Sequence, residues 1–139
     1  RVGSRYPAPF DAPCRGRFRT PLGDAAGLTQ FGVNLLRLAP GCWSSQRHWH
    51  TEEDEFVYVL SGEVVMVTDA GEQLLGPGDC AAFKASQADG HHLQNRSNSD
   101  AVVLEIGARS DNDGVHYSDI DLALAPAAER YSHKDGTPY

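Results

Sequence analysis

Between Leu28 and Ile106 the chain is cut into short apolar runs, and glycine, proline and small polar residues do the cutting. Phe31, Val33 and Leu35 alternate with Gly32 and Asn34, the period of two expected of a strand. Leu36 and Leu38 then take over the apolar phase, and a β-bulge near Leu35-Leu36 would account for the switch. Phe56–Leu60 and Glu63–Thr68 read as a hairpin across Ser61-Gly62. Asp69-Ala70-Gly71 is the next tight turn, leading to Gln73–Leu75, and Gly76-Pro77-Gly78-Asp79 breaks that run. Cys80–Phe83, His91–Asn95 and Ala101–Ile106 extend the series to about seven or eight short strands, with turn signals roughly every 8–12 residues. The 14 glycines and 8 prolines among 139 residues disfavour a helical bundle. An all-β sandwich or barrel, the jelly roll included, is the fold class predicted.

The length suits one domain. Residues 1–27 show no sustained period and read as an N-terminal arm, with Tyr6-Pro7-Ala8-Pro9-Phe10 extended. Residues 28–107 form the barrel, and residues 108–139 a polar C-terminal arm in which Asp121–Arg130 has the pattern of a short helix interrupted by Pro126. Either arm can pack on the barrel or on a partner subunit. Arm exchange in a two-fold homodimer would cover open sheet edges.

Twelve Lys+Arg against 19 Asp+Glu give a net charge of −7, which argues against binding to nucleic acid or to an anionic membrane. No apolar stretch approaches the roughly 18–20 residues of a spanning helix, and Arg1-Val2-Gly3-Ser4 has no apolar signal core. Cys14, Cys42 and Cys80 are odd in number and widely spaced, which predicts buried free thiols in a cytoplasmic protein.

The chemistry concentrates in Arg47-His48-Trp49-His50-Thr51-Glu52-Glu53-Asp54-Glu55. On a strand His48 and His50 share a face, about 6–7 Å apart at Cα, while Trp49 takes the other. That separation suits two imidazoles converging on one metal ion. One carboxylate of the acidic run can return to the same ion, and Glu55 shares a face with Val57 and Val59. Further on, His91, Leu93 and Asn95 share one face, and His92 and Gln94 the other. A histidine from this segment can complete a set of three imidazoles and one carboxylate. Such mixed ligation suits one divalent Zn, Fe, Mn, Ni or Cu ion.

These residues resemble the two motifs of the cupin superfamily. In the first, Gly41 is followed by six residues, His48-x-His50, four residues, Glu55, six residues and Gly62, against a family pattern that differs only in the first gap. In the second, Gly78 leads after five residues to Lys84, where the family has proline. Ser86 stands in place of glycine, and four residues instead of two precede His91, with Asn95 at the family's spacing. The resemblance covers roughly residues 28–107 and is closest to small stand-alone bacterial cupins labelled sugar-phosphate isomerases. It implies a double-stranded β-helix, with His48, His50, Glu55 and His91 as metal ligands and Asn95 in a structural role. His92 is the alternative to His91, and Glu53 to Glu55.

A metal held by three or four protein ligands keeps a position open for substrate. The resemblance therefore implies a metalloenzyme acting as a Lewis acid on a small polar metabolite, a sugar derivative or organic acid, by isomerase, epimerase or lyase chemistry. The alternatives are a non-catalytic ligand-binding sensor and an Fe(II)-dependent dioxygenase. Arg37, Gln46 and Arg47 are the polar residues expected nearest the pocket mouth. Phe56 and Tyr58 are expected in barrel packing, Lys84 exposed, and His116 and His133 on the surface.

Overall fold

A computed structural model describes residues 1–139. Its strands are β1 (Arg17–Pro21), β2 (Phe31–Leu38), β3 (His48–His50), β4 (Glu55–Ser61), β5 (Val64–Thr68), β6 (Gly71–Leu75), β7 (Cys80–Phe83), β8 (His92–Gln94), β9 (Ala101–Ala108), β10 (Val115–Tyr117) and β11 (Ala123–Leu124). A single 3-10 turn at Ala12–Cys14 and the four-residue helix α1 (Leu22–Ala25) are the only helical pieces. One sheet has the order β1-β2-β9-β4-β7, and two three-stranded sheets have the orders β11-β10-β3 and β6-β5-β8. His48 and His91 exchange both backbone hydrogen bonds, at 3.2 and 2.9 Å, and so stitch β3 to the start of β8 across the smaller sheets. The all-β jelly-roll architecture follows.

The core lies where the five-stranded sheet faces β5, β6 and β8. Leu36 and Leu38 of β2, Val59 of β4 and Val103 of β9 are fully buried there, against Val64, Leu75 and Leu93. Each such side chain contributes roughly 1.5–3 kcal/mol by leaving water. A smaller cluster of Val115, Tyr117 and Leu122 sits under the terminal segments, covered by Tyr6, Phe10 and Tyr131. Thus the two ends of the chain pack on each other: Tyr6 lies 5.4 Å from Tyr131, and Phe10 lies 6.0 Å from Tyr139, centroid to centroid.

Several local expectations change. The hairpin across Ser61-Gly62 does not form, because β4 pairs with β7 and β9 while β5 pairs with β6 and β8. Gly62 instead turns a corner between sheets: its φ is +72°, and a Cβ there would lie 2.6 Å from the Asp100 carbonyl oxygen. The hairpin that does form joins β5 to β6 across Asp69-Ala70, with Thr68 opposite Gly71. No bulge interrupts β2, which pairs in continuous register with β9 from Phe31 to Leu38. Its apolar phase shifts because Gly32 and Asn34 line a polar cavity on the same face that Leu36 and Leu38 bury. The ladder irregularity falls in β4, between Val59 and Ser61. Asp121–Arg130 is not helical; it holds β11, and Ala127 beyond Pro126 has a φ of +59°. Arg17–Pro21, aperiodic in sequence, is strand β1. Cys14 and Cys42 are buried free thiols, but Cys80, on the edge strand β7, is exposed. No helix is long and apolar enough to cross a membrane.

Candidate metal centre

Three stretches of chain converge inside the fold. On β3 the two-residue repeat turns His48 and His50 inward, ring centroids 5.1 Å apart, and sends Trp49 outward to stack on His116 at 4.4 Å. The pairing of His48 with His91 sets their rings 4.8 Å apart. Glu55, the first residue of β4, reaches into the space between them. Its Oε2 lies 2.6 Å from His91 Nε2 and 3.6 Å from His48 Nε2, and its Oε1 lies 3.3 Å from His50 Nε2. Ligand atoms around one first-row ion, each at about 2.1 Å, are separated by distances of this order.

The outer nitrogens of His48 and His50 are held in place, whereas His91 Nδ1 is buried without a hydrogen-bond partner. His48 Nδ1 meets the Gln46 carbonyl at 2.8 Å, and His50 Nδ1 meets Asp113 Oδ2 at 2.6 Å. Asp113 is itself fixed by the Glu52 and Glu53 backbone N–H groups, which donate to its other oxygen at 2.9 and 3.2 Å. An N–H donated outward from Nδ1 leaves Nε2 with its lone pair directed inward, the arrangement that surrounds metal-binding histidines. The His91 ring stacks on Phe83 at 3.5 Å. Glu55 Oε2 is buried without an aligned hydrogen-bond donor. A buried carboxylate oxygen facing three imidazole nitrogens is a donor set that fits a divalent cation. His48, His50 and Glu55 offer ligand atoms that all lie within 4.8 Å of one another, and on the outer side of His50 so do His50, Glu53 and Asp113.

Electrostatics point the same way. Burial opposes charge on His50, but the carboxylates of Glu55 and Asp113 outweigh it and push the imidazole up to about 9. Burial likewise opposes ionisation of Glu55, yet the three histidines hold it well below the usual carboxylate range. His91 is lowered by burial. The cluster thus keeps an ionised carboxylate inside the protein, stabilised by the imidazoles that surround it.

The alternatives named from sequence lie elsewhere. His92 Nδ1 donates to the Ser45 carbonyl at 2.9 Å, its Nε2 accepts from Gln94 at 2.9 Å, and its ring meets Trp43 edge-on. Glu53 sits on the Nδ1 side of His50, 3.8 Å away, where its Oε1 accepts from Ser110 N–H at 2.8 Å. Asn95, almost fully buried, donates to the Leu38 and Ser99 carbonyls at 2.9 and 2.8 Å and closes the turn before β9.

Cavities of about 220 and 240 Å³ flank the cluster, and Arg19, Ser45, His48, Glu55 and Glu105 line both. Arg19 pairs with Glu105 at 3.1 Å. None of the three polar residues expected at the mouth lines either cavity. Arg47 is tied to Asp69 and Asp119, Gln46 is buried against the Phe10 carbonyl, and Arg37 lies over Phe18 on the outer face. Tyr58 is exposed, Phe56 lines the smaller cavity, Lys84 and His116 are exposed, and half-buried His133 pairs with Asp121. Arg17, Arg19 and Glu105 escape a sequence reading because charged residues on short strands look like solvent-facing ones.

The fold and this cluster define a cupin. Residues 34–107 match the cupin domain model, and the chain belongs to that family. A cupin-superfamily sugar phosphate isomerase from Silicibacter pomeroyi DSS-3 is 46% identical, with a TM-score of 0.94 over 100% of this chain and 90% of its own. A protein from Acidithiobacillus ferrooxidans, also described as a sugar phosphate isomerase, is 34% identical with a TM-score of 0.77, over 84% of this chain and 74% of its own. The tetracenomycin polyketide synthase protein TcmJ of Streptomyces glaucescens is 29% identical over 75% of this chain and 68% of its own.

Proposed function

We propose that the chain is a metal-dependent enzyme of small polar metabolites, with one divalent ion held by His48, His50, Glu55 and His91. The observation that carries this reading is the approach of three imidazole Nε2 atoms to one buried carboxylate at 2.6–3.6 Å. When bound, the ion supplies Lewis-acid polarisation of a substrate oxygen. Asp113 and the Gln46 carbonyl fix the tautomers of His50 and His48. Glu105, whose carboxyl is pushed up by burial, is the group of the flanking cavities positioned to take up or return a proton at Oε1 or Oε2. Arg19 keeps that carboxylate oriented. Isomerisation or epimerisation of a sugar derivative suits this set, and the descriptions of the Silicibacter and Acidithiobacillus proteins support it.

Metal content of the purified protein tests the reading. Elemental analysis should find about one divalent ion per chain, lost in His48→Ala and in His50→Ala. Stoichiometric metal retained by both variants would sink the assignment.

A further inference from the structure

The 240 Å³ cavity beside the histidines has a charge balance unlike the rest of the molecule. The chain carries 19 acidic residues, but only Glu55 and Glu105 line this cavity, and both already face cations or imidazoles. Arg17 is 8% exposed, and its guanidinium donates only to neutral backbone carbonyls, those of Gly3 and Ser44. Arg5, on the same wall, takes part in no ion pair. Arg17 makes no direct ion pair and feels Glu105 only through space, so its remaining planar donors are free to match an oxyanion. Tyr6, Tyr117 and Tyr131 complete the wall, with ring centroids 5.4–6.2 Å apart. Burial pushes the Tyr6 phenol up to about 12, so it stays a neutral O–H group able to donate.

We infer that this cavity is an anion subsite, in which Arg5 and Arg17 hold the carboxylate or phosphate group of a small substrate while its other end faces His48, His50 and Glu55. The inference rests on the proposed metal centre only for where the reacting end lies. All of its arginines precede residue 34 and its tyrosines flank the cupin domain at 34–107. The family core therefore supplies the metal ligands, and the two terminal segments supply selection for charge.

Calorimetric titration with inorganic phosphate and with malonate tests it, on the protein as purified and again after chelation. Saturable binding of at least one anion is expected in both states. Arg5→Gln and Arg17→Gln should each weaken it by about tenfold or more, the scale of a lost hydrogen bond to a charged group. Arg37→Gln, on the outer face, should leave it unchanged. A preference for phosphate marks a phosphoryl substrate, and a preference for malonate a carboxylate. Arg5 is exposed, so its variant keeps the test valid even if Arg17→Gln fails to fold. Absence of binding by either anion, or binding equally strong in Arg5→Gln, overturns the subsite. Binding that disappears on chelation also overturns it, since the metal would then be the anion's holder. Absence of metal with arginine-dependent binding intact would remove the metal centre and leave the subsite standing.

Discussion

The cupin segment 34–107 and the terminal segments around it are built on different physics. The segment buries aliphatic side chains between two sheets and brings four of its polar groups, His48, His50, Glu55 and His91, to one point on the inner surface. The terminal segments bury little aliphatic surface. They are joined by aromatic contacts, and their inward residues are arginines and tyrosines that line a cavity. Stability should therefore reside in the first region and ligand selection in the second, so substitutions should separate the two.

The largest effect belongs to the core. Leu38→Ala removes a fully buried side chain and should cost about 2–5 kcal/mol in urea denaturation. Leu124→Ala, half-buried in the C-terminal segment, should cost clearly less. Equal losses would erase the contrast between the regions.

An acid titration comes next. Burial lowers His92 to about 4, whereas an unfolded chain's histidine titrates near 6.5. Between those values the unfolded state binds the extra proton, so the stability present above about pH 6.5 is lost as pH falls toward 4. The expected loss between pH 7 and pH 4.5 is about 2–3 kcal/mol. His92→Gln should flatten that part of the profile, and an unchanged slope would mean that His92 is not held neutral.

Asp113→Asn should leave the fold intact and lower metal affinity about 10–100-fold, measured by competition with a chromophoric chelator. Asp113 lies outside the cupin segment, so this variant tests whether the flank also orients a ligand. The smallest effect is expected at the surface, where Arg96→Gln breaks an exposed pair with Glu72. A measurable shift of the unfolding midpoint there would contradict the weight given to burial.

The same division explains what was legible in the sequence. The grouping of His48, His50 and Glu55 could be read because its spacing is local: one residue separates His48 from His50 in strand period, and Gly41 and Gly62 frame the three, whereas His91 is distant in the chain and comes only from the motif resemblance. The strand β1 could not, because its inward side chains are Arg17 and Arg19 and its outward one is Phe18, the reverse of a half-buried strand. The break at Ser61-Gly62 has the length of a hairpin turn, and only the close approach of Asp100 shows that it turns between sheets. On β2, Gly32 and Asn34 imitate a solvent face because they line a cavity rather than the core. Asp113 carries no local signal, lying 63 residues from the histidine it holds.

The central claim is that one ion sits among His48, His50, Glu55 and His91. X-ray absorption spectroscopy of the metal-loaded protein tests it most directly, by counting and identifying the ligands. The account predicts imidazole scattering from three histidines and an oxygen shell, with one imidazole lost in His91→Ala and the count unchanged in His92→Ala. A spectrum that loses its imidazole in His92→Ala instead, or that shows no histidine at all, would contradict it.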